Sequence, residues 1–328
     1  MPIFSIIMPA YNCEKFIADA IRSVINQDFK DFELIVIDDG SSDGTLKVAT
    51  QLSERDPRVR VVSLPNSGKP SVVRNVGISL ATGELLAFLD ADDLYLPGRL
   101  RQIYEICKKH DEADVVLSDF VWIDGAGNRV GKRSFFEENQ FEVRAKDVVL
   151  TAGSSCYRGT ERFYGFASTG FAPINTNSIT IRRSHYSDEL LKFDENLTLM
   201  EDFDLWFRVL AGRNAMICSH SLSAYRKYGN SISSKTTEFR RDQIKVHTRN
   251  FERGEKFFSK QELLAYRVRL ADMYGDQGYL YAKTGRRLES IRCYARALRY
   301  SRRKWVIVAI FKLFIPPSME RFIKFLLR

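Results

Sequence analysis

Glu84-Leu85-Leu86-Ala87-Phe88-Leu89-Asp90-Ala91-Asp92-Asp93 is an apolar run that ends in three carboxylates within four positions. Leu85 to Leu89 has the character of a strand buried on both faces of a parallel sheet. Carboxylates crowded at a strand end repel one another unless a cation or a set of hydrogen-bond donors joins them. Hard cations such as Mg²⁺ and Mn²⁺ take such oxygen ligands and commonly share them with substrate phosphates. An isolated Asp-x-Asp is short, and on its own it reads more often as a solvated acidic turn.

The flanking chain changes that balance. Residues 4–9 read as a buried strand ending at Pro9, followed by Tyr11 and by Asn12 as the N-cap of a helix over 13–29. A second strand at 32–37 ends in Asp38-Asp39-Gly40-Ser41-Ser42-Asp43-Gly44-Thr45 and leads into a helix over 45–53. A third strand follows at 59–63, then the loop Asn66-Ser67-Gly68-Lys69. Pro70 opens a helix that carries Arg74 and Asn75 and ends near Gly83. After the acidic run come a helix over 97–110 and a strand over 115–119. Alternation with short links predicts a doubly wound α/β sheet, whose ligands sit outside the carboxyl ends of the strands. Tyr11, Asp38 and Asp39, and Asp90 and Asp92 each follow a strand, so they are expected to converge on one crevice.

Beyond Phe120 the pattern weakens. Residues 122–130 suggest a hairpin, and 151–172 read as a long loop, either a lid or a connector. A strand is expected at 177–182. Residues 200–210 suggest a helix with Glu201, Asp202 and Asp204 in its first turn, where the macrodipole favours acids whatever their role.

The 328 residues suffice for one large domain plus an appendage, and 45% hydrophobic with 28% charged content describes a globular chain. Five scattered cysteines without a CxxC pair point to reduced thiols in a cytosolic setting, not to a disulfide framework or zinc site. The N-terminus lacks the basic region of a signal peptide, and no apolar run reaches the roughly 18 residues of a spanning helix. The net charge of +9 is uneven: residues 236–328 hold 22 Lys and Arg against 9 Asp and Glu, a net of +13, leaving about −4 for the rest. An anionic partner therefore suits the tail.

Taken together, Ser5-Ile6-Ile7-Met8-Pro9-Ala10-Tyr11-Asn12, the Asp38–Thr45 run, Arg74-Asn75-x-Gly77, Phe88-Leu89-Asp90-Ala91-Asp92-Asp93 and Glu201-Asp202 resemble the family 2 glycosyltransferases, over residues 3–235. The resemblance implies a GT-A fold with a mostly parallel central sheet plus a helical C-terminal extension. It also implies inverting transfer of a sugar from a nucleotide-diphosphate donor, such as a UDP-sugar. By position, Pro9 and Tyr11 would line the base pocket, and Asp39, with Asp38, would take the base's N–H groups. Asn66 and Arg74 would sit by the nucleotide, Asp90 by the ribose or metal, and Asp92 would hold Mn²⁺ or Mg²⁺. Asp202 would be the general base. Inverting displacement needs one such base and a cation to offset charge on the departing diphosphate.

Two departures stand out. Where the family often has Tyr-Arg-x-His, this chain has Tyr225-Arg226-Lys227-Tyr228, so Lys227 and Tyr228 become candidate phosphate contacts. No Gln-x-x-Arg-Trp follows Asp202, which favours adding one or a few sugars over processive synthesis. The expected division is 1–120 for the nucleotide-sugar half, 121–235 for the acceptor and base half, and 236–328 for a helical basic extension. The extension's end, with Trp305 to Ile315 and then Met319 to Arg328, combines apolar and cationic residues and fits an anionic membrane surface. Peripheral attachment at the inner face of the cell membrane, in cell-surface polysaccharide or glycolipid synthesis with a glycan or lipid-linked acceptor, follows as an expectation. A receiver-like or nucleotide-binding module without enzymatic activity is the alternative. It would explain neither Arg74-Asn75 nor Glu201-Asp202. A nucleic-acid partner is not expected, since no RNA or DNA motif accompanies the basic tail.

Overall fold

Apolar runs bounded by Gly, Asp and Asn turns form the strands, and runs with helical spacing form the helices between them. The computed structural model describes residues 1–168, 174–228 and 236–314. They fall into two units, Met1–Ser234 and Lys235–Arg328.

The first unit begins with β1 (Phe4–Ala10), α1 (Ile17–Ile25), β2 (Phe32–Asp38), α2 (Thr45–Ser53), β3 (Val59–Ser63), α3 (Pro70–Leu80) and β4 (Leu85–Phe88). β5 (Leu94–Tyr95), α4 (Arg99–Lys109), β6 (Val115–Ile123), β7 (Arg129–Val130), α5 (Phe135–Glu138) and α6 (Phe141–Ala145) follow. The unit ends with β8 (Val149–Gly153), β9 (Cys156–Gly159), α7 (Phe163–Ser168), β10 (Ile179–Arg182), α8 (Glu201–Leu210) and β11 (Ala215–Arg226). The strands form one mixed sheet in the order β3-β2-β1-β4-β10-β6-β11-β9-β8, with β5 on β11 and β7 on β6. β1 to β4, β6 and β11 run in one direction, and β10 lies antiparallel between β4 and β6.

β1 explains why its sequence is continuously apolar. Phe4, Ile6 and Met8 join the core under α1 and α4, while on the opposite face Ile7 meets α3. A Cβ on Gly77 would lie 2.4 Å from Ile7 Cγ2, so only glycine lets α3 approach this closely.

Three sequence expectations are corrected. α1 starts at Ile17 rather than at 13, and Asn12 does not cap it. Asn12 adopts φ 46°, which Asn tolerates, and its side-chain oxygen accepts from the Ser42 N–H while its own N–H donates to Ser41 Oγ. The stretch 151–172 is not a loop where it is described: β8 and β9 form a hairpin docked on β11 through Met216, Ile217 and Cys218, and α7 follows. Residues 169–173 lie outside the described residues. The strand expected at 177–182 begins at Ile179, because Asn177 sits in a 3-10 turn over Thr176–Ser178.

The second unit is helical, with α9 (Thr236–Gly254), α10 (Lys260–Lys283), α11 (Arg287–Tyr300) and α12 (Lys304–Phe314). Ser259 and Glu262 close a capping box that starts α10. Ala271, Tyr274, Tyr294, Ala297 and Val306 form its core. Tyr294 packs on Gly278 and Trp305 on Gly275, so these α10 glycines make room for rings. Among the described residues no helix is long and apolar enough to cross a membrane. Pro316, Pro317 and the run from Met319 to Arg328 lie outside the described residues.

Candidate active site

Parallel pairing of β1 with β2 puts Ala10 beside Asp38, and the Asp39 N–H donates to the Ala10 carbonyl at 2.8 Å. Pro9 and Tyr11 therefore share one edge with both aspartates. Tyr11 is 53% exposed, an open aromatic residue beside two buried carboxylates. Asp39 accepts from the Ser67 and Gly68 N–H groups at 2.8 and 3.2 Å, which pins the 66–69 loop to the strand end. Asp38 accepts from Ser41 N–H and Ser63 Oγ through Oδ2, whereas its buried Oδ1 has no partner. A buried carboxylate oxygen without a donor is costly, and the N–H of a nucleobase would relieve it. Gly40, at φ 66°, leaves no room for a Cβ, which would fall 2.7 Å from the Asn66 backbone nitrogen. Asn66 thus stands exposed next to the aspartate turn.

The carboxylates after β4 have three separate fates. Asp93 is 1% exposed and accepts from Asn177 Nδ2 at 2.8 Å and from the Arg226 backbone N–H at 2.7 Å. It clamps β11 to the end of β4, and burial together with the Asp92 charge lifts its pKa well above the usual range. Asp92 accepts from the Tyr228 hydroxyl at 2.8 Å, and its carbonyl accepts from Arg226 Nε at 2.6 Å. Burial, followed by the negative charge of Asp90, raises the Asp92 carboxyl. Asp90 binds Arg74 Nη2 at 2.8 Å.

Arg74 is the joint of the site. It is buried, and its Nη1 donates to Glu201 Oε1 at 2.9 Å, so one guanidinium holds the end of β4 to the start of α8. Its Nε has no partner. Asp202, the next residue on α8, is half-buried and accepts from the Phe203 N–H at 2.7 Å. Burial and the Glu201 charge push it up to about 7, against the pull of Arg74. Met200, at φ 65°, turns the chain abruptly into α8 and so orients this acidic first turn.

Of the candidate residues, Arg74, Asp90, Asp92, Asp202 and Tyr228 gather in one electrostatic cluster. Pro9, Tyr11, Asp38, Asp39 and Asn66 form a neighbouring group on the edge of β1 and β2. Lys227 stands apart, with its Nζ 4.3 Å from the Trp122 ring centroid. Gly229 to Ser233 lie outside the described residues. Among the described residues no set of three or more His, Cys, Asp or Glu forms a closed metal cage. The donor set fits a divalent cation of another kind. Burial and then the Asp90 charge raise the Asp92 carboxyl, a charge a cation bound there would offset, and Mg²⁺ usually takes one or two carboxylates plus phosphate oxygens. Glu201, Arg226 and Asn177 were not among the expected site residues. The sequence offered little signal for Asn177: it lies within the polar run Asn175-Thr176-Asn177-Ser178, and the Ser223 hydroxyl that donates to its Oδ1 is 46 positions away.

Replacing Arg74 by Ala leaves Asp90 and Glu201 facing each other beside Asp202 without a cation. Breaking such a buried pair typically costs about 3–5 kcal/mol, so the urea midpoint is expected to fall sharply. Arg74→Lys should recover only part, since an ammonium cannot fork between two carboxylates. A loss below about 1 kcal/mol would show that Arg74 is not the joint described.

The family model "Glycosyl transferase family 2" matches residues 5–169. An uncharacterized glycosyltransferase of Haemophilus influenzae is 34% identical over 131 residues, covering 40% of this chain and 52% of the relative. The uncharacterized glycosyltransferase EpsJ of Bacillus subtilis is 35% identical over 236 residues, 71% of this chain and 63% of the relative. The chain thus spans about half the length of the first and under two thirds of the second. S. aureus TarS 1-349, solved in complex with UDP-GlcNAc, superposes with a TM-score of 0.59 at 21% identity, covering 92% of this chain and 90% of that one. At that identity the likeness speaks for a shared fold.

Proposed function

The chain belongs to glycosyl transferase family 2, and from that membership we propose that it is an inverting, metal-dependent, non-processive transferase. It moves a sugar from a nucleotide-diphosphate donor to a glycan or lipid-linked acceptor in cell-surface polysaccharide or glycolipid synthesis. The observation that carries this reading is Asp202: a half-buried carboxyl raised to about 7 and tied through Glu201 and Arg74 to the carboxylates after β4. A general base works best with its pKa near the operating pH.

In this mechanism the Tyr11 ring stacks on the donor base beside Pro9, and Asp38 Oδ1 and Asp39 accept its N–H groups, with Asn66 at the same edge. UDP-GlcNAc in the TarS complex supports a UDP-sugar as donor here. Asp92, with Asp90, would hold Mn²⁺ or Mg²⁺, which offsets the charge of a departing diphosphate. Asp202 takes the proton of the acceptor hydroxyl, whose oxygen forms the new bond to the anomeric carbon. The bond from that carbon to the diphosphate oxygen breaks, and the leaving group keeps the electron pair. The Tyr228 hydroxyl, now on Asp92, is placed to turn to a phosphate oxygen.

A panel of nucleotide sugars tested for thermal protection distinguishes the readings. A UDP-sugar at 100 times its Kd should stabilise by about 2.7 kcal/mol, and only with Mn²⁺ or Mg²⁺ present. No protection by any nucleotide sugar would remove the transferase reading, and binding without transfer to any glycan would favour a nucleotide-binding module.

The proposed division is 1–120 for donor binding, 121–235 for acceptor and base, and 236–328 for the helical extension. We place the protein in the cytoplasm, peripheral on the inner membrane face, through α12. Val306 is buried and Ala309, Ile310 and Leu313 pack beside it, so one side of α12 belongs to the helical core. Ile307, Val308, Phe311 and Phe314 are exposed on the other side. Arg303 forks onto Asp272 at 2.9 Å and is not a free cation for a lipid surface. Deleting 301–328 would therefore remove core residues as well as the exposed face. Val308→Ser with Phe311→Ser is the cleaner test, expected to weaken flotation with anionic vesicles at low salt by about tenfold or more. Unchanged flotation would mean the exposed face does not enter lipid.

A further inference from the structure

The helical unit holds a cavity of about 790 Å³ between α9, α10 and α11, a size within the roughly 300–1,000 Å³ of small-ligand clefts. We propose that this cavity is a second saccharide site, for an acidic oligosaccharide segment of the acceptor. The proposal rests on the reading of the acceptor as a glycan.

Three helices each give one stripe to the lining. Arg241, Lys245, Thr248 and Glu252 follow one another at helical spacing on α9, Arg267, Tyr274 and Tyr281 at sevens on α10, and Cys293, Arg296 and Arg299 at threes on α11. Facing stripes in a helical bundle are ordinarily apolar, whereas these are polar and cationic. Six cations line the cavity, Arg249 being the sixth, against Glu252 and Glu255 as the carboxylates in its lining. Arg267 pairs with Glu255 at 2.8 Å and Arg241 lies 3.3 Å from Asp242, so part of that charge is balanced, while Arg296 and Arg299 stand exposed on α11. Water alone would solvate such a face at the surface.

The buried floor of the cavity argues for a ligand. Gln277 is 5% exposed, and its side-chain oxygen has no partner. A buried amide oxygen without a donor is costly, and a hydroxyl-bearing ligand would supply one. Beside it the rings of Tyr274 and Tyr300 stack at 5.8 Å with 9° between planes, and the Arg296 guanidinium lies 5.8 Å from the Tyr274 ring. Tyr274 is buried and backs the wall, while the part-exposed rings of Tyr300 and Tyr281 suit the C–H faces of sugars, and spaced guanidiniums suit carboxylates that recur along a chain. A free inorganic anion would use neither the rings nor Gln277.

Calorimetric titration of the full chain at low salt with tetragalacturonate tests this, with maltotetraose and inorganic phosphate as separate arms. Tetragalacturonate should bind one per chain, and both other probes should bind at least about tenfold more weakly. Arg296 and Arg299 are exposed, so Arg296→Gln with Arg299→Gln should fold normally and lower tetragalacturonate affinity by about tenfold or more. The double Lys replacement should restore part of the loss. Equal affinity in the Gln variant, or maltotetraose or phosphate binding as tightly as tetragalacturonate, would overturn the site. Asp202→Asn should leave this binding unchanged. Binding that persists while no nucleotide sugar protects the protein would strike the transferase reading and spare the cavity; the reverse pattern would do the opposite.

Discussion

Asp202→Asn should still bind donor and metal while turnover at saturating substrates falls by roughly 10²-fold or more. The amide cannot take a proton from the acceptor hydroxyl, yet it keeps the shape of the α8 turn and the acceptor for the Phe203 N–H. The wild-type pH profile gives an independent check. Since Asp202 is raised to about 7, it is mostly protonated below that pH and cannot act as base. The kcat/KM of the free protein should therefore fall about tenfold per pH unit as pH drops below 7 and level off above it. That limb should vanish in the variant. An Asn variant that loses donor affinity but keeps its rate at saturating donor would place Asp202 in the nucleotide site instead.

Asp92→Asn is expected to abolish transfer and the metal-dependent part of donor binding. A neutral amide is a much weaker ligand for a hard cation. In the free protein the same change relieves the repulsion from Asp90 that raises the Asp92 carboxyl, so thermal stability without ligands should hold or rise. Lost activity with maintained stability separates a ligand from a structural acid. Asp93→Asn would behave otherwise, since Asp93 clamps Asn177 and the Arg226 backbone. Near-normal Mn²⁺-stimulated activity in Asp92→Asn would remove the metal assignment.

The parallel half of the sheet was legible because its information is local. Leu34 to Ile37 and Leu85 to Leu89 are apolar on both faces, and the helix over 45–53 lies where its spacing put it. β10 was legible as a strand but not as an antiparallel insertion between β4 and β6, since direction depends on pairing partners and not on composition. The hairpin of β8 and β9 was hidden by Gly, Ser and Tyr, which serve loops and half-exposed strands alike. The aspartates and Glu201-Asp202 could be picked out from their motifs. Their partners could not: which carboxylate meets Arg74, the Arg226 backbone or Tyr228 is decided by chain segments more than a hundred positions apart, except for Asp90.

The reach of Arg74 has a consequence during synthesis. Asp90 lies 16 positions from it but Glu201 lies 127, and β10, which covers the far edge of β4, also comes late in the chain. At ribosomal rates of about 5–20 residues per second, the wait for Glu201 is roughly 6–25 s. From the completion of β4 at Phe88 to that of β10 at Arg182, roughly 5–19 s at those rates, the nascent N-terminal sheet has β4 as an open, wholly apolar edge, the kind of strand that pairs with a neighbouring chain. The late arrivals that complete the acidic cluster also close that edge, so yield in the cell depends on how quickly the second half of the sheet follows the first.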